Sequence, residues 1–567
     1  MTVASRSLRG KRRKITNVAN DAPVTGYELA EYAFHRPPEF ADPDPPVHPV
    51  AIVGGGLSGL ALAGLLGLRG VPVVLLDQDA SSGAWGTASR GIAYSKRTLE
   101  ILDRLGVAER IRALGRTWNE GRIFDGEELI EHFVIQPEAN QKWPAFINLQ
   151  QFHTEEYLAE RISQLESVEL RWQSKVVGVE QDGDVVTLAV STPIGEYRVR
   201  ASWVVACDGA NSEMQVHLGL HTPLHYFDDM WAITDLKVDM PDVQRTFWLN
   251  YPYLDQGAAI MHCMSPGMVR VDWQIIHLDP DEEVKPARVR ERLASFLGRE
   301  DFEVVSIGRF QFKTRLMERF VHGRVIFAGD AAHELPPYGA RGGNGGIQDA
   351  ENLAWKLEAV LRRRAGERIV ETYELERHQA AVENIAAAAQ SSEFIWPSTH
   401  GARLFRDAVL RLARRHQFAK ALVNTGRSSK AIHYLSTPLS VGDDGAFLGG
   451  IAPGEAAFSC AVADGYLLDR WDGRFTAVYF VEGDGPAGPL PTEAAGFPLD
   501  HVVVSRSTDV TGDLFRRYDA GGGALYVLRP DVHVAGRSRT VTPEAAVAIV
   551  ERSLAQAHAL PETATVT

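Results

Sequence analysis

One stretch near the start constrains the fold more than any other: PVAIVGGGLSGLALAGLLGLRGVPVVLLD, residues 49–77. It opens with a short apolar run that suits a buried strand. Gly54, Gly56 and Gly59 follow in GxGxxG spacing, then a helix-like apolar segment and a second buried strand. Strand, glycine turn, helix and strand form a βαβ unit, which predicts an α/β fold with parallel strands. In a chain with 51 glycines the spacing alone says little, so the flanking pattern carries the argument. Such a turn aims the N–H groups of a helix N-terminus, here Leu57, Ser58 and Gly59, at a dinucleotide pyrophosphate. Gly54 permits the tight turn, Gly56 lets phosphate approach the backbone, and Gly59 with Ala63 allows close helix–strand packing. Asp77, followed by Gln78, ends the second strand about twenty residues after the motif begins, where an acid accepts from a ribose hydroxyl. That acid favours the unphosphorylated ribose of FAD or NAD, and the motif does not choose between them.

Bulk properties remove other classes. The 567 residues exceed one ordinary core, so two or three domains are expected. A net charge of -14 repels phosphate backbones, which argues against a nucleic-acid partner. Cys207, Cys263 and Cys460 lie far apart and outside any CxxC. Neither a disulfide framework nor a metal site is expected, and a cytoplasmic setting is. The basic N-terminus lacks the apolar core of a signal peptide, and no apolar run reaches membrane-spanning length, so no membrane partner is expected. The Arg9–Lys14 cluster reads as a solvated tail, with a nucleic-acid patch as the alternative.

Texture divides the rest. Residues 1–48 lack periodicity and end in PPEFADPDPPVHP, predicting a flexible extension. Helical segments are expected near 96–115 and 154–165, and strands across 168–207. Residues 221–320 are β-rich, with FWLNYPY, GMVRVDWQII and EVVSIGRFQF. RVIFAG then predicts a strand before a glycine loop and a helix, with further helical stretches at 371–392 and 402–425. From about 445, FTAVYFV, HVVVS, ALYVLRP and a closing TPEAAVAIVERSLAQA suggest a small α/β domain.

Two more motifs follow in order. CDGANS, residues 207–212, comes after a strand-like WVVA; AGDAAHELPPYGARGGNGGIQDAENLAWKL spans 328–357. With these the chain resembles the class A flavoprotein monooxygenases, the group of para-hydroxybenzoate hydroxylase and phenol hydroxylase. Within it the likeness is to 3-(3-hydroxyphenyl)propionate hydroxylase-like enzymes. The resemblance runs from about residue 49 to the C-terminus. It implies a Rossmann-like FAD-binding domain of the para-hydroxybenzoate hydroxylase type, an interleaved β-sheet substrate domain and a C-terminal thioredoxin-like domain. The corresponding boundaries are 49–220 and 321–444 for the FAD-binding domain, 221–320 for the substrate domain and 445–567 for the last, which lacks a CxxC.

The resemblance also implies roles. Asp208 and Gly209 are the DG pair tied to FAD and nicotinamide use. Gly329 and Asp330 form the GD motif, with Asp330 on the ribityl chain. Pro337 and Tyr338 lie on the substrate side of the flavin. Gly342, Gly343, Asn344, Gly345 and Gly346 open a helix whose N-terminus faces the anionic edge of reduced flavin. Arg341 is a candidate cation there, or else it faces solvent or an acid. Arg90 and Gln151 match cofactor contacts, the latter in a QxxxExxL pattern with Glu155 and Leu158. Gln215 stands where the family pattern has arginine. The implied activity is hydroxylation of a small aromatic, phenolic substrate with NADH or NADPH and O2, through a flavin C4a-hydroperoxide, and homodimers are common in the group. Epoxidation or Baeyer–Villiger oxidation of a polyketide-like substrate on the same fold is the alternative; a non-catalytic flavin-binding regulator is another. In the β-rich segment Arg270 is a candidate for a substrate carboxylate and His262 for a phenolic proton. Each also reads as an ordinary sheet residue, and Trp248, Tyr251, Tyr253 and Trp273 as candidate pocket lining or, the plainer reading, as aromatic core.

Overall fold

The computed structural model describes residues 12–14, 24–42, 44–82, 91–135, 140–240, 244–251, 257–423, 430–443, 447–483, 485–486 and 488–559. Arg90 and Tyr253 lie outside these. The chain forms two compact units. The first comprises 1–137, 144–347 and 382–430; the second comprises 138–143, 348–381 and 431–567. These limits differ from the sequence-based ones, because single helices, Gly342–Leu361 and Glu371–Ile395, each run from one unit into the other.

In the first unit the βαβ prediction holds. Strand Val47–Val53, helix Leu57–Leu68 and strand Val73–Leu76 follow in order, the two strands parallel. Parallel pairing continues outward to Val168–Arg171 on one side and to Gly195–Ala206 and Val325–Phe327 on the other. The helix is apolar almost all round and buried, covered by the sheet on one side and by helix Gln151–Ile162 on another. The mid-chain and late motifs follow directly after Gly195–Ala206 and Val325–Phe327. Their turns therefore emerge beside the first glycine turn, at the carboxyl ends of neighbouring parallel strands, where open α/β sheets bind ligands.

A nine-stranded sheet forms the other layer of this unit. Its centre is strands Glu303–Leu316, Leu224–Lys237, Met268–Ile275, Ala259–Cys263 and Arg245–Leu249. Four strands from outside the expected segment extend it: Glu120–Asp125 pairs parallel with Arg245–Leu249, Glu128–Val134 pairs with Glu120–Asp125, and the short Val24–Thr25 and His333–Glu334 pair with Glu303–Leu316. One face packs Val269, Val271 and Trp273 against Val289 and Leu293 of helix Pro286–Leu297, which the sequence texture had hidden. Alternation turns Arg245, Phe247, Leu249, Ile260, His262, Arg270 and Asp272 to the opposite face.

The lead-in is not wholly a flexible extension. Within residues 24–42, Leu29 and Tyr32 are buried, Tyr32 stacks on Trp172 at 4.2 Å, and Glu39 pairs with Arg171 at 2.8 Å with both side chains sequestered. Prolines and acids hid these anchors, which act singly rather than periodically.

The second unit carries a five-stranded mixed sheet. Its central strand Phe475–Val481 runs parallel to Phe497–Ser505 and antiparallel to Ala524–Leu528. Buried Glu376 accepts from Arg529 and from Lys356, the latter at 2.7 Å, while Arg529 also meets Asp531. Among the described residues no helix is long and apolar enough to cross a membrane, and no cluster of metal-ligating side chains occurs.

Candidate active site

The glycine turns separate into two physical kinds. Gly54 has φ +106, and a Cβ there would overlap the Cys207 carbonyl. A Cβ on Gly59 would overlap the Gly54 carbonyl, and one on Gly329 or Gly346 would overlap Ser58 Oγ. These four are glycine because the protein leaves no room for more. Gly56 is different: a Cβ would meet only Glu155 Oε1, at 3.8 Å. At Gly342 the nearest atom is Asp330 Oδ1 at 4.0 Å, and at Gly209, φ +80, nothing lies within reach. Open space beside a glycine at a helix N-terminus is room for a ligand, not for packing.

Neighbouring polar groups agree. Helix Leu57–Leu68 has no side-chain cap at Gly56. Asp77 accepts from Gly55 N–H at 2.5 Å and from Asp79 N–H at 2.8 Å, and burial pushes its carboxyl up to about 6. Gln78 is exposed. Asp208 accepts from Met214 N–H at 3.0 Å through one oxygen, while its buried Oδ1 has no hydrogen-bond partner. Asp330 is exposed between buried neighbours. Two open helix starts, an orphaned acceptor and a projecting carboxylate fit a dinucleotide such as FAD.

Other expected residues serve the protein. Asn344 Oδ1 accepts from Ser95 N–H at 2.9 Å, and its Nδ2 donates to the carbonyls of Ala93 at 2.7 Å and Ala340 at 2.6 Å. That side chain fastens the loop, leaving the backbone for any ligand. Gln151 accepts from Gly91 at 3.0 Å and donates to Glu155 at 2.7 Å. Gln215 donates to the Ala331 carbonyl at 2.7 Å and accepts from Thr222 at 3.0 Å, tying the DG segment to the GD turn. Arg341 is buried rather than solvent-facing and donates to Asn384 Oδ1 at 2.8 Å. Burial raises Glu155, beside Gly56, to about 7; its place beside the cradle shows only in three dimensions.

The loop before Gly342 borders a cavity of about 390 Å³ through Tyr338, Gly339 and Ala340. Tyr338 is buried edge-on to Trp231 and Phe312, whereas Pro337 is exposed. Trp118, Phe133, Phe146 and Phe247 make much of the wall. Trp248, Tyr251 and Trp273 instead join the core cluster on the sheet's other face. Arg270 gives Nε and Nη2 to Asp235, at 2.8 and 3.0 Å, so the carboxylate-binding expectation falls on a guanidinium already taken.

His262 stands opposite Arg270, 3.4 Å from Asp272, and is not among the cavity-lining residues. Burial first, then Arg245 and Arg270, hold its pKa well below the usual histidine range, so it remains neutral. A neutral imidazole facing two guanidiniums is a poor store for a phenolic proton. Burial lifts Asp272 to about 7.

Sequence reasoning missed Arg245. It lines the cavity with Phe247 and Leu249, its guanidinium 4.6 Å from the Trp118 ring and 5.0 Å from the Phe247 ring. Its signal was one charge on the otherwise apolar face of RTFWL.

An α/β sheet whose three motif turns share one edge, joined to a second sheet over an aromatic cavity, is the architecture of a flavoprotein. The chain belongs to the FAD-binding domain family, whose model matches residues 48–388. It is 35% identical over 340 residues to a probable NADH-specific resorcinol 4-hydroxylase of Rhodococcus jostii strain RHA1, covering 58% of this chain and 62% of the relative. It is 28% identical over 369 residues to a 3-(3-hydroxy-phenyl)propionate/3-hydroxycinnamic acid hydroxylase of Mycolicibacterium smegmatis, covering 64% of each. The chain thus spans less than two thirds of the length of these relatives. In fold it is similar to the flavin-dependent monooxygenase PieE, crystallised with FAD and substrate. That match has a TM-score of 0.75 at 21% identity and covers 90% of this chain and 99% of the other.

Proposed function

We propose that the chain is an FAD-dependent monooxygenase that hydroxylates a small phenolic substrate with NAD(P)H and O2. The observation carrying this reading is the aromatic cavity bordered by the same Tyr338–Ala340 loop that opens the glycine-rich helix. The N–H groups of Leu57, Ser58 and Gly59 would hold the pyrophosphate, Asp77 the ribose and Asp330 the ribityl chain. Bound FAD would supply hydride acceptance and oxygen activation. The helix starting at Gly342 presents a positive end that favours an anionic ring edge. Trp118, Phe146 and Phe247 exclude water, which oxygen transfer to a ring requires. The cavity lies at the small end of ligand pockets and suits one ring better than a polycyclic.

The second unit reads as thioredoxin-like without a redox role: its sheet has a parallel and an antiparallel neighbour about one strand, and its one cysteine, Cys460, is buried. Three free, buried thiols support a cytoplasmic setting. Homodimerisation would be read from molar mass in solution.

The functional test uses FAD-loaded protein and a panel of phenols. Substrate-stimulated NAD(P)H oxidation is expected, with product carrying one atom from isotope-labelled O2. Stimulated oxidation with no labelled product from any phenol would refute hydroxylation.

A further inference from the structure

Most buried cations of this protein have a carboxylate at hand. Arg270 meets Asp235, Arg171 meets Glu39, Arg377 meets Asp349, and Lys356 and Arg529 meet Glu376. Arg245 does not. It is 9% exposed, and among the described residues no carboxylate stands within ion-pair distance of it. Nearby acids are turned elsewhere. Asp272 faces His262 at 3.4 Å, and cavity-lining Glu393 accepts from Ser398 N–H and Oγ, each at 3.0 Å. The cavity's other arginine, Arg406, is spent on Asp407, Asn250 and the Ile395 carbonyl.

A desolvated guanidinium whose nearest carboxylate, Asp272, acts on it only from beyond ion-pair distance is costly, and ring faces offset only part of that cost. The rings of Trp118 and Phe247 receive the Arg245 charge on their faces, but a ring face takes up few of a guanidinium's five N–H donors. A guanidinium that lines an apolar cavity matches a carboxylate or a phenolate oxygen.

We propose that Arg245 anchors an anionic oxygen on the aromatic substrate, so that aromatic acids or ionised phenols are preferred over neutral phenols. This rests on the cavity being the substrate site. Arg245 and the Tyr338–Ala340 loop line the same cavity, so holding the charged substituent fixes which ring carbon faces the loop. Arg245 is thereby a specificity residue, and the reaction supplying the substrate must deliver an aromatic already bearing an acidic group.

The experiment measures dissociation constants by tryptophan fluorescence on FAD-loaded protein, with four probes. Meta-hydroxybenzoate is set against meta-hydroxybenzamide, and para-nitrophenolate against phenol; the two pairs separate a carboxylate from a phenolate. Wild type is expected to bind the anion of at least one pair about tenfold or more tighter than its neutral partner. Arg245→Met should weaken that anion about a hundredfold and the neutral probe by less than about threefold. Arg245→Lys, which keeps the charge, should recover part of the preference and guards against a folding defect in the methionine variant. Equal binding of anion and neutral probe by wild type, or equal weakening of both in the variants, overturns the assignment. So does failure of wild type to bind either anion. The hydroxylase reading fails separately, if no phenol, charged or neutral, stimulates NAD(P)H oxidation.

Discussion

The dinucleotide cradle and the aromatic cavity belong to one unit but are built from different material. The cradle is made of backbone: open helix starts and turns with positive φ, at which Gly54, Gly209 and Gly329 are the residues that fit. The cavity is made of side chains from strands far apart in sequence, Trp118 on one, Phe146 on another, Arg245 and Phe247 on a third. Backbone demands narrow the residue choice at fixed local spacing. Side-chain demands admit many residues at any spacing. The same cradle can therefore serve many chemistries, while under the proposed function the cavity would decide which substrate is taken.

Four substitutions sharpen that contrast. The largest effect is expected from Gly56→Val. The new side chain enters ligand space rather than protein, so the variant should fold with near-native circular dichroism yet retain no FAD. Next, Arg270→Met removes the guanidinium that pairs with buried Asp235 and should cost about 3 kcal/mol of stability by denaturant titration, with FAD affinity unchanged. Asp330→Ala removes one charged acceptor and should weaken FAD by roughly tenfold, read by flavin fluorescence. The smallest effect concerns pH. Glu155, raised to about 7, is protonated below that pH and negative above it. A pyrophosphate at Gly56 is disfavoured by the negative form. FAD affinity should therefore fall by less than about tenfold as pH rises through 7, and Glu155→Gln should flatten the profile.

Legibility in the sequence follows the same divide. The βαβ unit, the order of the three motifs and the strand-rich middle could be read because each is local: Gly54, Gly56, Gly59 and Asp77 lie within one unit of structure. The parallel pairing of Arg245–Leu249 with Glu120–Asp125 could not, because nothing in either segment names a partner more than a hundred residues away. Asn344 and Gln151 occupy motif positions, yet their hydrogen bonds go to Ser95, Ala93 and Gly91, which no spacing rule connects to them. Arg270 and Arg245 look alike as single charges in β-rich text. Only the register that sets Arg270 against Asp235, and leaves Arg245 facing rings, tells them apart. Tyr27 and Glu39 show the reverse error: a segment without periodicity still contributes anchors, one bonded to Asp235 at 2.8 Å and the other to Arg171.

The central claim is that one FAD lies against three glycine-bearing turns on a single sheet edge. Purified protein incubated with FAD, stripped of free ligand by gel filtration and scanned in the visible tests it most directly. A flavin spectrum equivalent to one FAD per chain, lost in Gly56→Val, is the predicted result. A wild-type chain that stays colourless would contradict the account.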